Sequence, residues 1–314
     1  MTGPLPRRRF LGALVGAAAA TLAGAPARAA AYRWDGHALG GAVSLTVAGI
    51  RRAAAEDAVA ACLDEIERLE NLFSLFRPDS ALSRLNRAGA LDDPGPDMVA
   101  LLARAQSMAR LTGGAFDPTV QPLWELHAAG PPAPDALRAC LRRVGWRGLS
   151  VSPRRIVLGP GMAVSLNGIA QGHITDRVAD LLRRRGVGHA LVDMGEHRAT
   201  GPRDAAGAPW RLADRAGGTV ALAAGAVATS APAGTVFEPS GRRHHIFDPR
   251  RGTCPRRHRQ VTVTAPTATL ADALATACHV LDPGQARAVV ARLAGAGVAV
   301  GVEVVGAGGD RRRL

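Results

Sequence analysis

The chain has 314 residues, 47% hydrophobic but only 4% aromatic, so a sizeable core has to be built from Ala, Val and Leu rather than from rings. Its formal charge is +13, and all 39 basic residues are Arg, with no Lys anywhere. These arginines are scattered, with short runs at the N-terminus, at 183–185 and in the tail "DRRRL", and no stripe interleaves them with aromatics; the charge reflects composition bias and argues against a nucleic-acid partner.

In chain order, the first legible segment is "PRRRFLGALVGAAAATLAGAPARAA". A twin arginine, Arg7 and Arg8, leads through Phe10 and Leu11 into a weakly apolar Ala/Gly run that ends in small residues at Ala27 and Ala29. That is the pattern of an export signal over 1–30, and it resembles the twin-arginine signals of proteins exported already folded. The apolar run is at the short end of what spans a bilayer, and no Cys follows it, which disfavours both a membrane anchor and a lipid anchor. The expected product is a single unit over 31–314, exported by the twin-arginine (Tat) machinery to the periplasm and soluble there.

Beyond the signal, "HALGGAVSLTVAG" alternates like a first strand. "AAAEDAVAACLDEIERLENLFS" places Ala58, Cys62, Ile66 and Leu69 at helical intervals. A second helix is predicted over "DMVALLARAQSMARLTGG", capped by Asp97 and ended by Gly113, and further helices over "APDALRACLRRVG", "GIAQGHITDRVADLLRRRGV" and "TLADALATACHVL". Strands are predicted at "RRIVLG", "HALVDMG", "GAVATSA" and "RQVTVTAP", and a surface excursion or hairpin between Arg198 and Gly218. Helices and strands mix without regular βαβ alternation, which points to an α+β fold. The four cysteines, Cys62, Cys140, Cys254 and Cys278, form no C-x-x-C; an oxidising compartment would permit a disulfide, but spacing selects no pair.

Five stretches combine small residues, turn formers and a few polar groups at the ends of predicted elements: "FSLFRPDSALSRLN", "TGGAFDPTV", "VSLNGIAQGHITD", "HHIFDPRRG" and "TLADALATA". Singly, each has an ordinary explanation as a turn or a capped helix start. In this order they resemble the ApbE family of FAD:protein FMN transferases, over about Leu39 to Leu281. The most specific part is "VATS", then "HHIFDPRRG", then "VTVTAP" and "LADALATA".

The resemblance implies mixed, largely antiparallel sheets packed with helices around one FAD site. It also implies a magnesium ion and transfer of the FMN half of FAD to a Thr or Ser hydroxyl of an acceptor flavoprotein, with release of AMP. Pyrophosphate cleavage suits a hard cation held by oxygens, and Asp272 and Thr276, four apart on a helix, share one face. The resemblance assigns the metal to those two side chains and to a backbone carbonyl of Gly168 or Ala170, with the following helix offering N–H groups to phosphate. It assigns FAD contacts to Leu39, Phe76, Ala115, Phe116, Asp117, Ser165, Gln171, His245 and Ile246. For the base, His245 is the side chain nearest working pH and Asp248 its orienting partner; the competing explanation is that His244 and His245 only close a turn.

The loop departs from the family's Asp-Leu-Gly-Gly-Ile-Ala-Lys-Gly at two places, since Ser165 replaces the acid and Gln171 the base in "SLNGIAQG". Both are neutral hydrogen-bonding groups. Either the site transfers FMN slowly or narrowly, or the chain belongs to a specialised branch. "SLNGIAQGHITDRVADLLRRRGV" with "LVDMGE" resembles the NosX proteins of nitrous-oxide respiration, which implies a membrane-bound acceptor with a periplasmic flavin domain. Two other functions share these residues: an FAD-binding or FAD-delivery protein with weak or no transfer, and a pyrophosphatase that splits FAD to FMN and AMP.

Overall fold

The computed structural model describes residues 31–213 and 217–314, so the export-signal expectation, with Arg7, Arg8, Ala27 and Ala29, lies outside the described residues. The first described element is a hairpin rather than one strand: β1 (Tyr32–Ala38) and β2 (Gly41–Ala48) pair antiparallel, with Ala38 opposite Gly41. Leu39 and Gly40 turn the chain with φ of 54° and 77°. A two-residue hairpin turn with left-handed backbone at both positions suits glycine and costs a leucine. The Leu39 N–H is fixed there by Glu70 Oε1 at 2.7 Å. Alternation alone misses this turn because both arms alternate.

Next comes α1 (Arg52–Phe73), which buries the predicted stripe of Ala58, Cys62, Ile66 and Leu69. It is followed by α2 (Ala81–Ala88), β3 (Ala90–Asp92) and α3 (Pro96–Leu111). Gly95 and Pro96, not Asp97, open α3; the Asp97 carboxylate instead takes Arg68 at 2.7 Å. Then follow α4 (Gln121–Ala129), α5 (Pro134–Leu141), β4 (Leu149–Val151), β5 (Arg155–Leu158) and α6 (Ala170–Arg184). The remainder is β6 (His189–Asp193), β7 (His197–Ala199), β8 (Trp210–Ala213), β9 (Thr219–Leu222), β10 (Gly225–Ser230), β11 (His258–Ala265), α7 (Ala268–Val280), α8 (Pro283–Gly295), β12 (Gly301–Gly306) and β13 (Arg311–Arg313).

One eight-stranded sheet runs β1-β2-β6-β7-β10-β11-β12-β13 with every neighbouring pair antiparallel. Small antiparallel sheets β3-β5-β4 and β8-β9 flank it, so the fold is α+β with antiparallel sheets, as expected. The excursion after β7 contains the β8–β9 hairpin, whose Trp210, Leu212 and Leu222 form a separate apolar cluster. Arg198 is no part of a surface segment; it is a β7 residue only 7% exposed.

α7 packs against β10, β11 and α6, and α6 packs against α1 and β6. Their apolar faces (Ile174, Val178 and Leu182 of α6, Leu274 and Cys278 of α7) share one core with Leu45, Val192, Val261 and Val263 of the sheet. All four cysteines are free thiols. Among the described residues no helix is long and apolar enough to cross a membrane.

Candidate functional site

The site grows from the crossing of α6 and α7. A Cβ added at Gly172 would stand 2.3 Å from Ala268 O and 2.8 Å from Asp272 Cβ, so only glycine lets the two helices approach this closely. The Gly172 N–H, among the donors that a helix start leaves without an intrahelical partner, goes to Asp272 Oδ2 at 3.0 Å. One turn further along α7, Thr276 meets the loop before α6: a Cβ at Gly168 would lie 3.0 Å from Thr276 Oγ1 and 3.4 Å from the Phe116 ring. The structure thus brings together Gly168, Phe116 and Thr276, with Asp272 one turn away on the same helix. Ala170 is the first residue of α6, beside them in sequence and buried.

Asp272 is 6% exposed, and burial is the main cause that pushes its carboxyl up to about 7. The Gly172 N–H opposes that shift and the neighbouring Asp176 adds to it. No described Arg pairs with it. One under-bonded carboxylate and a hydroxyl four residues on, with the backbone of the Gly168 loop against that hydroxyl, offer oxygens of the kind a hard divalent cation takes, and its charge would offset the desolvation of Asp272. Among the described residues no three His, Cys, Asp or Glu side chains gather as an alternative cage. The residues present fit the expected metal.

The loop into α6 is tightly tied. Asn86 brackets Val164 with its side chain, donating to Val164 O at 2.8 Å and accepting from Val164 N at 2.7 Å. Ser165 N–H donates to Pro118 O at 2.7 Å, joining this loop to the "AFDP" segment, and Ser165 Oγ faces the Asn167 N–H at 3.4 Å. Ala115, Phe116 and Asp117 are all buried. The Asp117 carboxylate serves its own turn, accepting from Thr119 N–H and O–H at 2.8 and 2.6 Å and from Trp146 N–H at 2.9 Å, so a nucleotide would not find it free. Gln171 lies across the Gly195 turn between β6 and β7. The expected phosphate cradle at the start of α6 is largely spoken for: Ala170 N–H goes to Leu166 O, Gly172 N–H to Asp272 and His173 N–H to Ile169 O.

Leu39 sits in the β1–β2 turn and Phe76 in the segment between α1 and α2. Glu70 links them, accepting from Leu39 N–H at 2.7 Å and from Arg77 at 2.5 Å, and Phe76 beside Arg77 is 79% exposed. Phe76 overhangs a cleft of about 510 Å³ shared with Leu75, Asn86, Trp124, Met162 and Asn167. This cleft meets the α6 loop at Ala163 and Asn167, while Asp272 and Thr276 are not in its lining.

The "HHIFDPRRG" loop divides the expected pair. His245 is half-buried, with Nδ1 3.1 Å from Thr235 O, and burial lowers its pKa. A proton on Nδ1 would donate to that carbonyl and leave Nε2 with its lone pair. Asp248 does not orient His245: its oxygens take the Arg250 N–H at 3.0 Å and the Arg250 guanidinium at 2.9 and 3.3 Å, which closes the turn. His244 is buried and structural, bridging Pro255 O and Ile246 N–H at 3.0 and 3.3 Å. Ile246 is buried beside it.

Sequence reasoning missed Gly172, Asp176, Arg198, Asn86 and Glu70. Only the Gly172/Asp176 spacing of four, one helical face, was a usable signal; the others act across 22 to 78 residues of chain or on backbone groups.

The ApbE family profile matches residues 39–300. The chain is 32% identical to an FAD:protein FMN transferase of Klebsiella pneumoniae (strain 342) over 90% of this chain and 89% of that protein. It is 35% identical to one of Treponema pallidum (strain Nichols) over 74% of each. Among solved structures it is similar to the ApbE protein of Thermotoga maritima, with a TM-score of 0.80 and 29% identity over 90% of this chain and 96% of that one. It is also similar to the apo flavinyl transferase ApbE of Pseudomonas stutzeri, with a TM-score of 0.77 and 27% identity over 91% and 96%. With the family profile spanning most of the described fold and relatives aligned along most of their length, the chain belongs to the ApbE family.

Proposed function

We propose that this transferase moves the FMN half of FAD to a Thr or Ser hydroxyl of an acceptor flavoprotein, releasing AMP, with magnesium at Asp272 and Thr276. The FAD:protein FMN transferases among its relatives support the reaction. The observation that carries the metal is the buried, under-bonded Asp272 one turn from Thr276 and the Gly168 loop. In the transfer, the acceptor oxygen bonds to the flavin-side phosphorus, the phosphoanhydride bond breaks toward AMP, and the hydroxyl loses its proton. The metal would neutralise charge on the phosphoryl oxygens.

The chain's own residues do the rest. Asp272, Thr276 and the carbonyl of Gly168 or Ala170 would hold the cation. His245 Nε2 takes the acceptor proton, its ring set by Thr235 O. Phe76 and Leu39 offer apolar surface for a planar ring, and Ser165 and Gln171 contribute neutral hydrogen bonds rather than an ion pair. Asp248 steadies the loop through Arg250.

The twin-arginine pattern at Arg7 and Arg8 supports export to the periplasm, and the segment similar to NosX supports a membrane-bound acceptor with a periplasmic flavin domain, linked to nitrous-oxide respiration. The test is incubation of the full chain with FAD, magnesium and a candidate acceptor domain, read by mass spectrometry. An FMN mass gain on the acceptor is expected, lost with EDTA and with Asp272→Ala. Retained FAD without transfer, or AMP release without labelling, overturns the assignment in favour of a delivery protein or a pyrophosphatase.

A further inference from the structure

Asp176 and Arg198 belong to none of the expected contacts, yet they bear directly on the helix that carries Asp272 and Thr276. Asp176 is one turn along α6 from Gly172 and 6% exposed. Its Oδ1 accepts from Ala268 N–H at 2.8 Å, and its Oδ2 accepts from Thr269 N–H at 2.9 Å and Thr269 Oγ1 at 2.5 Å. Arg198, reaching in from β7, makes a buried ion pair with the same carboxylate and lies 3.8 Å from Asp180. The first turn of α7 is therefore fixed from two points on one face of α6: Gly172 in backbone contact with Ala268 and bonded to Asp272, and Asp176 on the next two N–H groups. Asp272 follows within one turn, so its carboxylate inherits whatever position that clamp imposes.

We infer that Asp176 and Arg198 are positioning residues for the cation site, acting together to hold the first turn of α7 where Asp272 and Thr276 can share one ion. The inference rests on the proposed metal site at those two residues. Groups that orient metal ligands from behind typically change metal affinity by about 10- to 100-fold when altered. Position and charge make opposite demands on Arg198. If the pair acted only through charge, removing Arg198 would leave the Asp176 carboxylate uncompensated and draw a cation in more tightly, while Asp176→Asn would weaken it. If the pair positions α7, both losses weaken binding, and the double variant is hardly worse than either single one, because the two residues act as a unit.

The experiment titrates the full chain, free of FAD, with manganese alone and reads the unbound ion by electron paramagnetic resonance, well below the unfolding temperature of each variant. Asp176→Asn and Arg198→Met are each expected to raise the manganese Kd about tenfold, the double variant by no more than about thirtyfold, and Arg198→Lys to stay within about threefold of the unaltered chain. Circular dichroism confirms that each variant is folded, and Thr269→Val, which drops only the hydroxyl bond, supplies a milder variant with an expected rise of about threefold. Unchanged affinity in both single variants overturns the inference, and so does tighter binding in Arg198→Met. An unaltered chain that binds no manganese overturns the metal site itself and the inference with it, and is told apart by that control.

Discussion

Asp176 and Asp272 make an instructive pair, because each is a buried carboxylate on one helix that bonds to the first turn of the other. Asp176 of α6 takes two N–H groups and a hydroxyl at the start of α7, plus the Arg198 guanidinium. Asp272 of α7 takes one N–H, from Gly172 at the start of α6, and has no cationic partner among the described residues. The geometry is reciprocal and the bonding is not. A saturated carboxylate serves the fold, whereas a buried one left with spare acceptor capacity is a site for something else, here an expected cation.

The largest difference follows from removing each in turn. Asp176→Ala strands the Arg198 charge in a buried setting and should cost about 3–5 kcal/mol of stability. Asp272→Ala removes a carboxyl that burial already penalises, so in EDTA its urea midpoint should match or exceed that of the unaltered chain, while FMN transfer falls about a thousandfold or more. Urea unfolding monitored by circular dichroism, beside acceptor labelling, separates the two; equal destabilisation by both substitutions would erase the distinction.

Gly172→Ala attacks the shared contact rather than either acid. The new methyl would meet Ala268 O at 2.3 Å, a backbone atom that cannot rotate away, so the helices must part. Overpacking of this kind costs about 1–3 kcal/mol. Because parting also stretches the Gly172–Asp272 bond, the variant should bind manganese more weakly than its stability loss alone would imply, as a titration at matched folded fraction would reveal.

Much of this was legible in the residues, and what was not has a physical reason. Helical spacing located α1, α3, α6 and α7 because each buries a periodic stripe, as Ala58, Cys62, Ile66 and Leu69 do in α1, and it located α5 although that helix buries only Cys140. α8 escaped because "GQARAVVARLAGAG" buries only Ala286 and Val289 and alanines mask its period. α2 was hidden inside a stretch that looked like a loop, although Ser80 caps it at Ser83 N–H. At the site, the order of five motifs pointed to Asp272, Thr276 and either Gly168 or Ala170, of which the fold brings Gly168 against Thr276. Asp248 was misplaced as a partner of His245 because sequence proximity says nothing about direction, and Arg250 two residues on was the nearer claimant. The Asp176–Arg198 clamp was out of reach, since it joins α6, β7 and α7 across 22 and 92 residues of chain.

The smallest expected effect is also the most specific to the under-bonded acid. The folded pKa of Asp272, about 7, lies above its ordinary 3.8, so between those values the native state holds a proton that the unfolded chain has released. Stability in EDTA should therefore fall as pH rises through that window and level off above about 7. His173 and His279, depressed by burial from 6.5 to about 4, work the other way: their contribution is complete above 6.5 and is lost as pH falls toward 4. Burial also lowers His127, His244, His245 and His258, so below 6.5 the histidines oppose and mask Asp272. Between pH 6.5 and 8 the unfolded histidines are still losing their last protons, so the decline due to Asp272, about 1 kcal/mol or less, is read as the difference between the unaltered chain and Asp272→Asn, in which the histidine contribution cancels. Asp272→Asn should abolish that decline, and saturating magnesium should do the same by excluding the proton, so that the metal stabilises more at pH 8 than at pH 6. Urea midpoints at pH 6.5, 7 and 8 in EDTA that change in parallel for the unaltered chain and Asp272→Asn would mean that Asp272 is as well satisfied as Asp176, and the contrast between the two helix starts would be gone.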